Sequence, residues 1–144
     1  MNIRDSIKER LTDKIRDWKE KSCRRIYLGI DKADIREVAK FFFAELGMRF
    51  ITASGIDTPE GLEILYHFSF DESGEVYTLR VLLEDKKHPE LDSITPLFNG
   101  AEWIEREMWE LLGIKFSGHP NLKRLLLAED WPQENYPLRR ENES

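Results

Sequence analysis

Cysteine is almost absent from this chain of 144 residues, which contains only Cys23. A single thiol closes no disulfide within the chain, so a reducing compartment is expected. One thiol also cannot hold an iron–sulfur cluster, which takes about four thiolate ligands. We therefore predict no iron–sulfur cofactor in the chain itself, and we interpret Cys23 as a small, partly buried apolar residue.

Long apolar runs are missing as well, since the longest cover only residues 41–44 and 125–128. A membrane-spanning helix needs about twenty apolar residues. The N-terminus also lacks the apolar centre of a signal peptide. The protein is therefore expected on the cytoplasmic side, at most peripheral to a membrane.

Basic residues are outnumbered, with 22 Lys and Arg against 28 Asp and Glu and a net charge of −6. Phosphate contacts require clustered Lys and Arg, so nucleic acid is a poor candidate partner. The chain has no Gly-x-Gly-x-x-Gly and no glycine-rich phosphate loop, which argues against nucleotide binding. The histidines are not spaced as metal ligands, so His67, His88 and His119 are interpreted as structural.

A helical pattern opens the chain over residues 2–21. Its apolar positions recur every three or four residues, as in an amphipathic helix. They are Ile3, Ile7, Leu11, Ile15 and Trp18. The N-terminal region, 1–22, is accordingly predicted to be one helix.

The region 23–114 shows the pattern of an α+β domain. Alternating apolar residues predict strands, and runs with a helical period that end at a glycine predict helices. The chain turns between the last two strands at residues 71–74, and a connector over 85–99 has room for one short helix. Strands are predicted over 25–30, 48–54, 62–70 and 75–83, and helices over 31–46 and 100–112. This order predicts a two-layer α+β fold in which helices pack on a mixed four-stranded sheet.

The remaining region, 115–144, is predicted to be an extended tail. It contains three prolines, yet it keeps large apolar side chains, whereas a free tail is normally poor in them. These side chains are Leu125, Leu126, Leu127, Trp131, Tyr136 and Leu138. The tail is therefore expected to lie in a groove, either of its own chain or of a partner.

The run Glu105-Arg106-Glu107 allows two interpretations. Such a run is typical of a solvated helix face. Alternatively, it forms an ion-pair cluster that fixes the helix against another chain, since Arg106 is four residues from both Glu102 and Glu110. Nothing in the sequence indicates the cleft that paired catalytic carboxylates require.

The residues from Glu105 onward resemble the signature of the 30 kDa subunit of respiratory complex I and its membrane-bound hydrogenase relatives. Gly113, Phe116 and Pro120 also fit the pattern, and the resemblance covers roughly residues 25 to 140. The signature positions are Glu105, Arg106, Glu107, Glu110, Leu111, Leu112, His119, Lys123, Leu125 and Leu126.

The resemblance implies a cofactor-free structural and assembly subunit in the peripheral arm of a membrane-associated, ion-pumping oxidoreductase. The chain would have no active site, metal or cofactor of its own. It would pack on the large catalytic subunit, with its quinone site or nickel–iron centre, and on the small iron–sulfur subunit, at the cytoplasmic face. The residues expected at the partner interface are Glu105, Arg106, Glu107, Trp109, His119, Pro120, Arg124, Trp131, Tyr136, Pro137, Arg139 and Arg140. Among them, Arg139 is expected to reach a carboxylate of the partner.

The chain departs from the complex I pattern at Trp109-Glu110, where complex I members usually have Tyr-Asp. Its C-terminal run also looks more like that of the energy-converting hydrogenases, so both branches stay open. Two other interpretations are a standalone small-molecule enzyme that uses His67 or His119 as its base, and an interaction module unrelated to electron transfer.

Overall fold

The computed structural model describes residues 2–120 and 136–139. Five strands form the main sheet, namely β1 (Ile15–Ser22), β2 (Arg25–Ile30), β3 (Arg49–Thr58), β4 (Gly61–Phe70) and β5 (Glu75–Leu83). Their order across the sheet is β1-β2-β5-β4-β3. Strands β2 and β5 are parallel, and the other neighbouring pairs are antiparallel. The predicted mixed sheet is confirmed, with five strands instead of four.

The helices are α1 (Ile3–Arg10), α2 (Ile35–Lys40) and α3 (Ala101–Leu112). A 3₁₀ turn, Lys32–Asp34, precedes α2, and a π-helical turn, Phe41–Glu45, follows it. Apolar side chains from the helices meet one face of the sheet in a single core, which includes Ile7, Val38, Phe42, Tyr66, Leu79 and Met108. The two-layer α+β architecture is thus confirmed.

The single helix predicted over residues 2–21 is wrong beyond Arg10. The chain turns at Thr12, whose hydroxyl donates to the carbonyl oxygens of Lys8 and Glu9 at 2.6 and 3.0 Å. Residues 15–22 then form β1, which pairs antiparallel with β2. Backbone pairing along the free edge of β2 outweighs the helical spacing of Ile15 and Trp18, because an exposed sheet edge favours the addition of a strand.

The central predictions hold. The helix expected over 31–46 is present as the 3₁₀, α and π segments, and Gly47 follows with φ of 67°, as a residue that ends a helix should. Strand β5 matches its prediction, β4 starts one residue early, and β3 extends four residues further than predicted. The turn at 71–74 joins β4 and β5 as an antiparallel pair.

The connector over 85–99 contains a short strand that its sequence pattern does not predict. Its residues Glu90–Asp92 form β6, which pairs in parallel with β7 (Lys115–Ser117) beyond α3. Three-residue strands are too short to show an alternating pattern. This small second sheet brings the connector and the segment after α3 to the same side of that helix.

Two surface observations complete the fold. Cys23 is exposed in the turn between β1 and β2, so its predicted partial burial is wrong. In residues 2–120 and 136–139, no helix has the length and apolar character needed to cross a membrane.

Candidate partner interface

Helix α3 contains four of the nine described residues that were predicted to meet a partner. It begins after Gly100 and ends at Gly113, whose φ of 81° lies in the left-handed region. Ala101, Glu105, Met108 and Leu112 are buried and recur at helical spacing. This stripe turns one face of α3 toward the sheet.

A glycine lets α3 approach β3 closely. A Cβ atom on Gly55 would lie 2.6 Å from Leu112 Cδ1 and 3.3 Å from Met108 Sδ. These distances leave no room for a side chain, so the second half of α3 lies directly on β3. The contact fixes the helix at the edge of the sheet, since β3 is the last strand in the order.

Glu105 lies inside the chain, fully buried. Its carboxylate accepts a hydrogen bond from Ser93 Oγ at 2.6 Å and one from the Ile94 amide at 3.0 Å. The Tyr66 hydroxyl approaches it at 3.5 Å. Desolvation raises the pKa of Glu105 to about 7, although the hydrogen bonds from Ser93 and Ile94 act in the opposite direction.

This buried carboxylate connects α3 to the segment before it. Arg36 of α2 extends the network, because its Nε donates to the Ser93 carbonyl at 2.7 Å and its Nη2 to the Ser117 carbonyl at 3.0 Å. The interpretation of residues 105–107 as a solvated helix face is therefore wrong at Glu105. Its role at a partner interface stays a prediction. The sequence does not predict the roles of Ser93 and Arg36, because a serine in a connector and an arginine in a helix give no distinctive signal.

Arg106 and Glu110 are also buried, with 6% and 3% of their surface exposed. The Arg106 guanidinium lies 5.5 Å from the ring centre of Trp103, a cation–π geometry. Trp103 itself is 59% exposed. The Arg106 side chain therefore supports a large aromatic ring on the surface of α3.

Glu107 and Trp109 are partly buried. Glu107 borders a groove of about 180 Å³ between α3 and β3, whose other walls are mostly apolar. Trp109 packs against the edge of the hydrophobic core. The two residues thus lie in different surroundings on the same helix.

His119 and Pro120 follow β7. His119 Nε2 lies 2.9 Å from the carbonyl oxygen of Glu102, so this ring nitrogen donates the hydrogen bond. The contact returns the chain to the first turn of α3, and Pro120 next to it is exposed. Of these two predicted interface residues, His119 is partly buried and Pro120 is exposed.

Residues 136–139 lie against the C-terminal end of α3. The Leu138 amide donates to the Leu111 carbonyl at 3.0 Å, and Arg139 Nε donates to the Leu112 carbonyl. The Arg139 guanidinium also lies 5.4 Å from the ring centre of Tyr136. These contacts satisfy carbonyl groups that a helix end leaves without intrahelical partners.

Within the chain Arg139 binds the end of α3, and its predicted contact with a carboxylate of the partner stays a prediction. Only 6% of the residue is exposed, and it binds its own helix end. Pro137 is partly buried, whereas Leu138 is 56% exposed. Part of the tail therefore lies on its own chain, which was one of the two positions expected from the sequence. The predicted interface residues Arg124, Trp131 and Arg140 lie outside the described residues.

The alternative catalytic base His67 lies on the other face of the sheet. Its Nδ1 is 2.8 Å from Thr78 Oγ1, and burial, with the nearby Arg25, lowers its pKa. His67 lines a depression on this face of the sheet, together with Arg25, Tyr27 and Ile51. In the described part of the chain, its lining contains no carboxylate that would orient His67 as a base, and this geometry gives the enzyme interpretation no support.

Comparison with known proteins identifies the family. Residues 28–144 match the model of the family described as "Respiratory-chain NADH dehydrogenase, 30 Kd subunit". The chain belongs to this family. By family it is a subunit of a complex I-type or related oxidoreductase, which confirms the resemblance found in the sequence.

Several relatives in the 30 kDa subunit family are similar over much of the chain. The C subunit of the F(420)H(2) dehydrogenase of Methanosarcina mazei is 35% identical over 83% of this chain and 76% of its own length. The C/D subunit of the NADH-quinone oxidoreductase of Bacteroides thetaiotaomicron is 36% identical over 67% of this chain but only 18% of its own length. The chain thus spans less than a fifth of that relative.

Solved structures share the fold of the 30 kDa subunit family member described here. A trypsin-resistant fragment of Nqo5 aligns with a TM-score of 0.71 and 22% identity, covering 85% of this chain and all of that fragment. A chain of an archaeal membrane-bound sulfane sulfur reductase aligns with a TM-score of 0.86 and 20% identity, covering 98% of this chain and 84% of its own. At these identities the similarity establishes the fold alone.

Proposed function

We propose that this chain is a cofactor-free assembly subunit in the peripheral arm of a membrane-associated, ion-pumping oxidoreductase of the group 4 hydrogenase or complex I type. It packs on the large catalytic subunit and the small iron–sulfur subunit at the cytoplasmic face of the membrane. Iron–sulfur clusters, and nickel–iron in the hydrogenase branch, belong to those partners. The match to the 30 kDa subunit family over residues 28–144 is the observation on which this proposal depends.

The contacts of α3 support a docking role. Its polar residues Glu105, Arg106 and Glu110 are buried, so they pack within the chain and leave other side chains on the surface of the helix. The exposed large side chains Trp103 and Leu138 lie on α3 and on the segment bound to its end. Exposed aromatic and aliphatic side chains on a rigid element are typical of protein interfaces.

Purification of the tagged full-length chain from native membranes in a mild detergent tests the proposal. A large catalytic subunit and iron–sulfur subunits should co-elute in stoichiometric amounts, as measured by mass spectrometry. A chain that elutes alone, while those subunits stay together in another fraction, would contradict it.

Arg139→Ala provides a second test. The change should lower recovery of the complex by about fivefold or more, because losing hydrogen bonds to a helix end releases residues 136–139 from α3. Arg49→Ala is the matched control, since Arg49 is an exposed arginine on β3 that forms an ion pair with Asp71. If both variants assemble like the wild type, Arg139 has no role in docking.

A further inference from the structure

The groove between α3 and β3 is lined mainly by apolar side chains. One wall is the stretch 53–55 of β3, and the other consists of α3 side chains. Leu138, in the docked tail segment, also lines the groove and is 56% exposed. The lining includes Ile104, Met108, Leu111 and Leu112.

A sheet edge borders this groove. In the part of the chain that the structure describes, β3 pairs with β4 on one side and with no strand on the other. An unpaired edge next to apolar surface offers backbone hydrogen bonds to an added extended segment.

Among the described residues, Glu107 is the one ionisable side chain along the groove. Within residues 2–120 and 136–139 it forms no ion pair and no side-chain hydrogen bond. An apolar occupant would cover this carboxylate without compensating its charge, which is costly. An occupant with a basic side chain at this point would avoid that cost.

We propose that this groove binds an extended, apolar segment of a neighbouring subunit, and that an Arg or Lys of that segment pairs with Glu107. The inference rests on the proposed function, because the segment belongs to a subunit of the same complex. A second copy of this chain fits less well, since two facing grooves would bring two Glu107 carboxylates together, and like charges across an interface oppose binding.

Photo-cross-linking within the intact complex tests the inference. p-Benzoylphenylalanine replaces Leu138, an exposed residue that lines the groove, in the tagged full-length chain expressed in its native host. After irradiation, the complex is purified and the cross-linked peptide is sequenced by mass spectrometry. The expected peptide comes from another subunit of the complex and contains apolar residues with an adjacent Arg or Lys.

A charge reversal tests the ion pair. Glu107→Arg should lower recovery of the complex by about tenfold or more, because it places like charges in a desolvated contact. Changing the cross-linked basic residue of the partner to Glu should restore recovery. The matched control is Glu72→Arg, an exposed glutamate in the turn between β4 and β5, which should change recovery by less than about twofold.

Three results would overturn the inference. They are a cross-link to the same chain or to a second copy, a partner peptide without a basic residue, and unchanged recovery of the Glu107→Arg complex. Failure of the proposed function looks different, because no large or iron–sulfur subunit would then co-purify even with the wild-type chain.

Discussion

Glu105 and Glu107 belong to one sequence motif but lie in different environments. Glu105 is buried and satisfied within the chain by Ser93 and Ile94, whereas Glu107 borders an apolar groove. Their spacing along the helix places them about 160° apart around the axis, or just under half a turn, because each residue advances by about 100°. The sequence motif identified both as important. It could not separate the internal residue from the surface residue, because Ser93 and β3 approach α3 only in the fold.

The raised pKa of Glu105 predicts a pH dependence. A carboxyl whose pKa rises from 4.5 to about 7 on folding favours the fold in its protonated form. That stabilisation is complete below about pH 4.5, declines as pH rises to about 7, and is lost above it. Glu105→Gln mimics the protonated form, so the variant should be more stable than the wild type at pH 8 by about 1–3 kcal/mol.

Urea denaturation of both proteins at pH 5 and pH 8 measures this difference. The gain from Glu105→Gln should be much smaller at pH 5, where the wild-type residue is largely protonated. Glu72→Gln, at an exposed position, should follow the wild type at both values. An equal effect of Glu105→Gln at the two pH values would show that the residue does not titrate in this range.

At the scale of elements, the end of α1 was the hardest to predict. The spacing of Ile15 and Trp18 was helical, but the edge of β2 recruited those residues into β1. The end of α3 at Gly113 was predicted correctly because glycine at this position has a local cause. The contact of residues 136–139 with that helix end joins segments that are distant in the sequence, so no local pattern predicts it.

Gly113→Ala should destabilise the fold by about 1–3 kcal/mol, because a left-handed backbone conformation disfavours a side chain. The new Cβ would also lie 2.5 Å from the Tyr136 ring.

Two control variants separate the backbone strain from the clash with Tyr136. Gly47 has φ of +67° with nothing within 4 Å, and Gly100 is unstrained with nothing within 4 Å. Chemical denaturation should rank the losses Gly113→Ala, Gly47→Ala and Gly100→Ala, from largest to smallest. Equal losses at Gly113 and Gly47 would mean that Tyr136 does not pack there.

Arg4 connects α1 to the sheet. Its Nε donates to Glu75 at 2.5 Å and its Nη1 to Glu20 at 2.6 Å, and Nη2 contacts the Cys23 carbonyl. Arg4→Ala should accelerate hydrogen exchange of the α1 amides by about tenfold or more, because local opening becomes easier. Arg10→Ala, which removes an exposed pair with Glu45, should stay within about twofold. Similar exchange in both variants would show that Arg4 does not hold the helix.

For the whole molecule, the sequence predicted the layers better than the contacts between them. Alternation in β4 and β5 and the helical period of α2 each reflect one buried face, so they were visible locally. The parallel pairing of β2 with β5 and the small β6–β7 sheet join distant segments, and no local pattern encodes them. The family resemblance identified the class of complex, but the groove beside Glu107 required the positions of α3 and β3.

The parallel pairing of β2 with β5 has a consequence for synthesis on the ribosome. Arg25 pairs with Val76, so about fifty further residues must leave the exit tunnel before β2 can pair with β5, and closing such a loop has an entropic cost. The β3–β4–β5 meander needs only short turns. The β1–β2 pair therefore keeps one strand edge open until β5 has been synthesised, and open strand edges make a nascent chain prone to aggregation.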